Sequence, residues 1–188
     1  MASEMRDVEQ RIHEALLSII HDISPNRVTV SSLCRRAGVS RSTFYTHYGS
    51  LEDVYEHLLE EALRDCSEGP YRCTTCDGGY NCPYGICDRV LSHPEYGPLF
   101  FEESLSRMVV RKVTEIHKDR YVREVVREYD ITPNQAAAIF DFQLNGCLAV
   151  NRAAYRRSTF CVEDNRDTIG EFIRSGLSNF GTRDGQKG

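Results

Sequence analysis

The stretch TVSSLCRRAGVSRSTFYTHYGSLEDV, residues 29–54, reads as two short helices joined by a tight turn, with the start of a longer helix behind them. Apolar spacing predicts the first short helix over Ser31–Ala37, with Leu33 and Ala37 turned inward. Gly38 follows as a residue that tolerates positive φ, and Val39 can plug the turn. Ser40 is a good N-cap for a second short helix over Arg41–Tyr48. Ser50-Leu51-Glu52-Asp53 is a capping signal, and Leu51, Val54, Tyr55, Leu58, Leu59 and Ala62 then fall on one side of a further helix. A helix, a glycine-containing turn and a second helix at this spacing have helix-turn-helix dimensions.

Outward from this stretch the helical period persists. Val8, Ile12, Leu16, Ile19, Ile20 and Ile23 recur at three- and four-residue steps and predict a helix from about Arg6 to Ile23, stopped by Ser24-Pro25-Asn26. Beyond residue 85 the pattern predicts short helices over Ile86–Leu91 and Tyr96–Glu103, then a long one through Leu105, Met108, Val109, Val113, Ile116, Val122, Val125 and Val126. Thr132-Pro133-Asn134-Gln135 is a capping box with proline at the first helical position, opening a helix to about Arg157. Ile169, Phe172, Ile173, Gly176, Leu177 and Phe180 mark a last amphipathic helix, and the tail GTRDGQKG lacks the apolar residues to order itself. No segment carries a strand period. The expected fold class is all-α: a helix-turn-helix domain over residues 1–64, and a helical regulatory and dimerisation domain over 65–188 that includes a cysteine-rich loop at 66–87.

Bulk properties narrow the function classes. The chain has 188 residues, 40% hydrophobic and 27% charged, ordinary values for a soluble protein. It has no apolar run of about 18 residues, so no membrane partner is expected. The start MASEMRDVEQRIHEALL lacks a signal-peptide core, so the expected location is cytoplasmic, where thiols stay reduced. The net charge is −5, which argues against nucleic acid. Local charge argues the other way. From Ser24 to Gly49 there is no Asp or Glu, while Arg27, Arg35, Arg36, Arg41 and His47 lie in that window, as on a phosphate-facing surface. There is no Ser/His/Asp set, no carboxylate pair, no Walker loop and no dinucleotide loop, so no enzyme is expected.

The second short helix carries the chemistry. Arg41, Ser42, Tyr45 and Thr46 share a polar face, away from Phe44 and Tyr48. A groove reader needs this division, because one face must pack while the other reaches base edges and phosphates. Arg41 can pair with guanine O6 and N7 or with phosphate, and Tyr45 and His47 can donate to phosphate oxygens.

The long first helix followed by TVSSLCRRAGVSRSTFYTHYGSLEDVYEHLL resembles the N-terminal domain of TetR-family transcriptional regulators. The A-G-V-S turn, the T-F-Y-x-H-Y run and the hydrophobic fourth helix carry the likeness, which covers about a third of the chain. The resemblance implies a repressor that binds double-stranded operator DNA as a homodimer. It implies DNA contacts by Ser31, Arg41, Ser42, Thr43, Tyr45, Thr46 and His47, and a four-helix dimer interface from Pro133–Arg157 and Glu163–Phe180. It further implies release of the DNA when a small-molecule effector enters the C-terminal domain. Phe100, Phe101, Tyr121, Phe140, Phe142 and Tyr155 are candidates to line an effector pocket, against the plainer reading of aromatic core.

Where such regulators have a short link after the fourth helix, this chain has about 20 residues holding Cys73-x2-Cys76-x5-Cys82-x4-Cys87, with Cys66 upstream. Three readings stand. Cys73, Cys76, Cys82 and Cys87 can bind zinc, with Cys66 or His93 in reserve, because zinc takes four thiolate or imidazole ligands and C-x2-C is one half of such a site. The thiols can instead form a reversible disulfide switch, or remain an unliganded loop. Metal, redox and small-molecule signals are thus all open. The alternative class is a cysteine-rich metal-binding or thiol-redox protein whose helix-turn-helix is incidental. Cys34, Cys147 and Cys161 read as packing.

Overall fold

The computed structural model describes residues 2–67, 86–157 and 162–181. Among these the chain is helical, with one isolated bridge residue, Tyr129, and no strand. The helices are α1 (Ala2–Asp22), α2 (Val30–Ala37), α3 (Arg41–His47), α4 (Leu51–Ser67), α5 (Ile86–Ser92), α6 (Gly97–Phe101), α7 (Ser106–Glu128), α8 (Pro133–Arg156) and α9 (Val162–Ser178). None of the described helices is long and apolar enough to cross a membrane.

Local chemistry sets the boundaries. Thr29 caps α2 through a reciprocal pair: its Oγ1 accepts from the Ser32 N–H at 3.1 Å, and its own N–H donates to Ser32 Oγ at 3.0 Å. This box starts α2 at Val30 rather than at Ser31. Ser40 Oγ accepts from the Thr43 N–H at 2.9 Å and opens α3. Ser50 and Asp53 exchange the equivalent pair ahead of α4, at 2.9 and 3.2 Å. Thr132 and Gln135 do the same for α8, with Pro133 at its first position. Gly38 closes α2 with φ of 65°, the left-handed conformation that suits glycine. The Arg11 guanidinium from α1 donates at 2.7 Å to the carbonyls of both Ala37 and Gly38, tying the turn to the first helix.

Packing divides into two layers that share one continuous core. In the N-terminal layer α1 packs on α2 and α4, and α2 on α3, around Ile12, Leu16, Leu33, Phe44, Val54 and Leu58. In the body α7 lies antiparallel to α8 across a four-residue link, and α9 packs on α8 and α5. Among the joints between the layers are α1 against α6 and α4 against α7. The second is also ionic: Arg111 donates to Glu56 at 2.5 Å, and Lys112, only 8% exposed, is held by Glu60 and Glu56. The hydrogen bond to Glu60 pushes the Lys112 ammonium pKa up, and the same bond holds the Glu60 carboxyl down.

Three expectations are corrected here. The cysteine-rich segment is not a loop at its ends, because Cys66 belongs to the last turn of α4 and Cys87 to the first turn of α5. Tyr96–Glu103 is not one helix: Tyr96 ends a 3-10 turn over Pro94–Tyr96, α6 then runs only to Phe101, and Glu102 is extended before a second 3-10 turn over Glu103–Leu105. Phe142 is not a core aromatic, since it is 68% exposed on the outer face of α8.

Candidate nucleic-acid interface

Helix α3 is only seven residues long, so its position depends on anchors rather than on helical propensity. Phe44 is fully buried and Tyr48, the C-cap, is 3% exposed, and together they fix the inner side. Opposite them Arg41, Ser42, Tyr45 and Thr46 are exposed, Tyr45 to 51%. The Tyr45 ring stands edge-on to Phe44 at 5.3 Å, which holds the phenol upright on the polar face. Thr46 Oγ1 donates back to the Ser42 carbonyl at 3.0 Å, and Thr43 is half-buried beside Ser40.

The structure brings together two residues that lie ten apart in sequence. Arg41 Nη1 donates to Ser31 Oγ at 3.3 Å, so the start of α3 and the first turn of α2 present one polar edge. Around it Arg27 and Arg35 are exposed, and Arg36 is held by Ser18 and by Asp22. The basic residues at the C-terminal end of α2 complement its dipole. Burial pushes the Cys34 thiol pKa up, partly offset by the nearby Arg41, which leaves Cys34 a packing residue.

His47 is placed differently from its neighbours. Its side chain is 6% exposed, with Nδ1 3.2 Å from Glu9 Oε1 on α1. Tyr48 is likewise held from behind, its hydroxyl 2.9 Å from His13 Nε2, while His13 Nδ1 lies 2.8 Å from Glu61 Oε2 on α4. Burial, then Glu9 and Glu61, push the Tyr48 phenol pKa up, so it stays protonated and able to donate. Sequence reasoning missed Glu9, Arg11, His13 and Glu61. Each acts on a partner 26 to 48 residues away, and only an alignment showing covariation could have signalled that.

The aromatic candidates for an effector pocket lie in the body. Phe100, Phe101, Tyr121 and Phe140 are each at most 1% exposed, and Tyr155 is half-buried. Tyr121 meets Phe140 edge-on at 5.3 Å, and Phe101 meets Tyr155 at 5.8 Å. A cleft of about 670 Å3 is found elsewhere, between α1 and α4, with Glu9, His13, His57 and Glu61 among its walls and Tyr96 at one end.

Of the zinc candidates, Cys73, Cys76 and Cys82 lie outside the described residues, as does Cys161. Cys87 is buried, and its Sγ accepts from Asn151 Nδ2 at 3.9 Å across α5 and α8. Among the described residues no group of three His, Cys, Asp or Glu side chains is arranged to hold a metal.

Comparison with known proteins agrees with the N-terminal geometry. Residues 12–58 match the family described as bacterial regulatory proteins, tetR family. The chain is also similar to two uncharacterized HTH-type transcriptional regulators of Mycobacterium tuberculosis, MT2310 from strain CDC 1551 / Oshkosh and Rv2250c from strain ATCC 25618 / H37Rv. Each is 32% identical over 65 residues, which is 35% of this chain and 34% of the relative. The match thus spans about a third of the length of these relatives.

Proposed function

We propose that this chain, whose residues 12–58 match the tetR family of bacterial regulatory proteins, is a DNA-binding transcriptional regulator, a repressor that works as a homodimer and lets go of its operator when a signal reaches its body. The observation that carries the DNA-binding reading is α3: a short helix with a fully anchored inner side and an exposed face of Arg41, Ser42, Tyr45 and Thr46, next to Ser31. This face enters the major groove, with Arg41 and Ser31 at its leading edge, Thr43 at its flank and His47 held behind it by Glu9. Arg41 releases Ser31 to reach a guanine edge or a phosphate, and Ser31 then becomes a second donor.

Support for the dimer comes from α8 and α9. Phe142 and Phe172 are 68% and 69% exposed, and Val150 and Phe180 are 43% and 41% exposed. Between them Gly146 and Gly176 have open space where a Cβ would stand, so a second copy can approach closely. Four exposed apolar side chains on α8, on α9 and just beyond its end make a patch that a monomer seldom leaves in water. Support for an effector comes from the body core, where Gln143 Oε1 and Asn151 Oδ1 are buried without a hydrogen-bond partner, as is Tyr55 Oη on α4. A ligand that parts the aromatic pairs at Phe101–Tyr155 and Tyr121–Phe140, alongside Phe100, can satisfy such groups.

The test is binding to a duplex that the wild-type protein selects from a random-sequence pool. Arg41→Ala and Tyr45→Phe should each weaken binding by roughly 1–3 kcal/mol, about 5- to 150-fold, because each removes one base or phosphate contact. Their thermal midpoints should move little, since both side chains are exposed. Unchanged affinity in both variants, or no enrichment of any sequence by the wild type, contradicts the assignment of α3.

A further inference from the structure

Helix α4 faces both layers at once. Glu56 and Glu60 bind Arg111 and Lys112 of the body, while the next residue, Glu61, meets His13 of α1. We propose that Glu61 is a positioning residue for DNA binding, acting through His13 on Tyr48, so that the attitude of α3 is set by the residue of α4 adjacent to those that grip the body. The proposal rests on the DNA-binding reading of α3.

The chemistry of the chain of contacts is directional. A carboxylate only accepts, so the Glu61–His13 contact at 2.8 Å requires the hydrogen on His13 Nδ1. The neutral ring then has its lone pair on Nε2, where it accepts the Tyr48 hydroxyl at 2.9 Å. An isolated imidazole favours the hydrogen on Nε2, so Glu61 selects the tautomer that can receive Tyr48. Tyr48 passes this on to α3. Its N–H donates to the Phe44 carbonyl at 2.9 Å and closes the helix, and its ring lies 5.9 Å from Phe44 and edge-on to His57 of α4 at 5.5 Å. A seven-residue helix has few other holds at this end, the second being His47 on Glu9. Displacement of α4 by the body therefore pulls on Glu61 and reaches the exposed face through Tyr48. Glu61 itself is 54% exposed at its side chain, so its removal leaves the core intact.

Two measurements on the full chain test this. Nitrogen-15 spectra of the imidazoles, at a pH where His13 is neutral, should show its hydrogen on Nδ1 in the wild type and on Nε2 in Glu61→Ala. A wild-type hydrogen on Nε2 overturns the proposal without reference to DNA. For the selected duplex, Glu61→Ala and Tyr48→Phe should each weaken binding about 3- to 30-fold, and the double variant no more than the worse single one, because both cut one chain of contacts. Glu61→Gln, whose carbonyl can still accept from Nδ1, should bind as the wild type does. Effects that multiply in the double variant, or Glu61→Ala with wild-type affinity, overturn the proposal while leaving α3 as the reading helix. A wild type that selects no duplex removes the DNA-binding reading and this inference with it.

Discussion

His117 sits on α7 with 2% of its surface exposed, and burial, with Arg120 nearby, pushes its imidazole pKa from 6.5 down to about 4. Between those values the unfolded chain binds a proton that the folded chain refuses, so stability rises with pH across that window. The contribution, on the order of 3 kcal/mol, is complete above about 6.5 and is lost as pH falls towards 4. Urea unfolding of the wild type and of His117→Leu at pH 7 and pH 4.5 checks it. The wild type should lose more stability between the two pH values than the variant, and equal losses would show that His117 is not the group responsible. Residues of this kind divide sharply in how readable they are. Gly38, Ser40, Thr132 and Pro133 act on their immediate neighbours, and their roles followed from their own chemistry. Leu33, Ala37 and Phe44 were inward by helical phase. Glu9, Arg11, His13 and Glu61 act across helices, and neither phase nor composition distinguishes them from solvated charges on a helix face.

At the scale of elements the limits of periodicity show in α9. The stripe Ile169, Phe172, Ile173, Leu177 and Phe180 reads as one seam, yet the structure divides it. Ile173 and Leu177 are 7% and 2% exposed, within the body core, while Phe172 at 69% and Phe180 at 41% face outward. The apolar arc is wider than a single contact, because α9 covers its own body on one side and joins Phe142 and Val150 of α8 on the other. Only the outward part is free for a second copy. Phe172→Asp should therefore keep its helical spectrum while shifting to monomers in sedimentation equilibrium at micromolar concentration, and it should lose binding to the selected duplex, since one subunit reaches one half-site. A wild type that is itself monomeric there, or a Phe172→Asp variant that remains dimeric, is incompatible with this interface. The caps of α2, α3, α4 and α8 set those boundaries to within a residue, because a cap is a contact between residues three apart.

The whole molecule adds the question of what the cysteine-rich segment does between α4 and α5. We propose one zinc ion per chain on four thiolates drawn from Cys66, Cys73, Cys76, Cys82 and Cys87, on the grounds of their spacing. Cys87 is the member whose surroundings are known, and it is buried with its Sγ against Asn151. Cys66 is thus the stronger fourth ligand beside Cys73, Cys76 and Cys82. Elemental analysis of protein prepared under reducing, chelator-free conditions should find about one zinc per chain. Cys73→Ser should lose it and Cys87→Ser should keep it. Less than about a tenth of an ion per chain, with none gained from added zinc, would leave the disulfide switch as the better account. What the sequence determined by itself was governed by contacts within one or two helical turns: the all-α class, the capped starts of α3, α4 and α8, the positive φ at Gly38, and the separation of Arg41, Ser42, Tyr45 and Thr46 from Phe44. Those follow from backbone sterics, capping and helical phase, which need no distant partner. Tertiary structure alone decided which half of α9 is buried, that His47 turns to Glu9, that α4 meets the body with Glu60 and His13 of α1 with Glu61, and where the cleft opens. Each of these depends on how two helices meet in space, and a one-dimensional pattern of apolar and polar residues is the same for many such meetings.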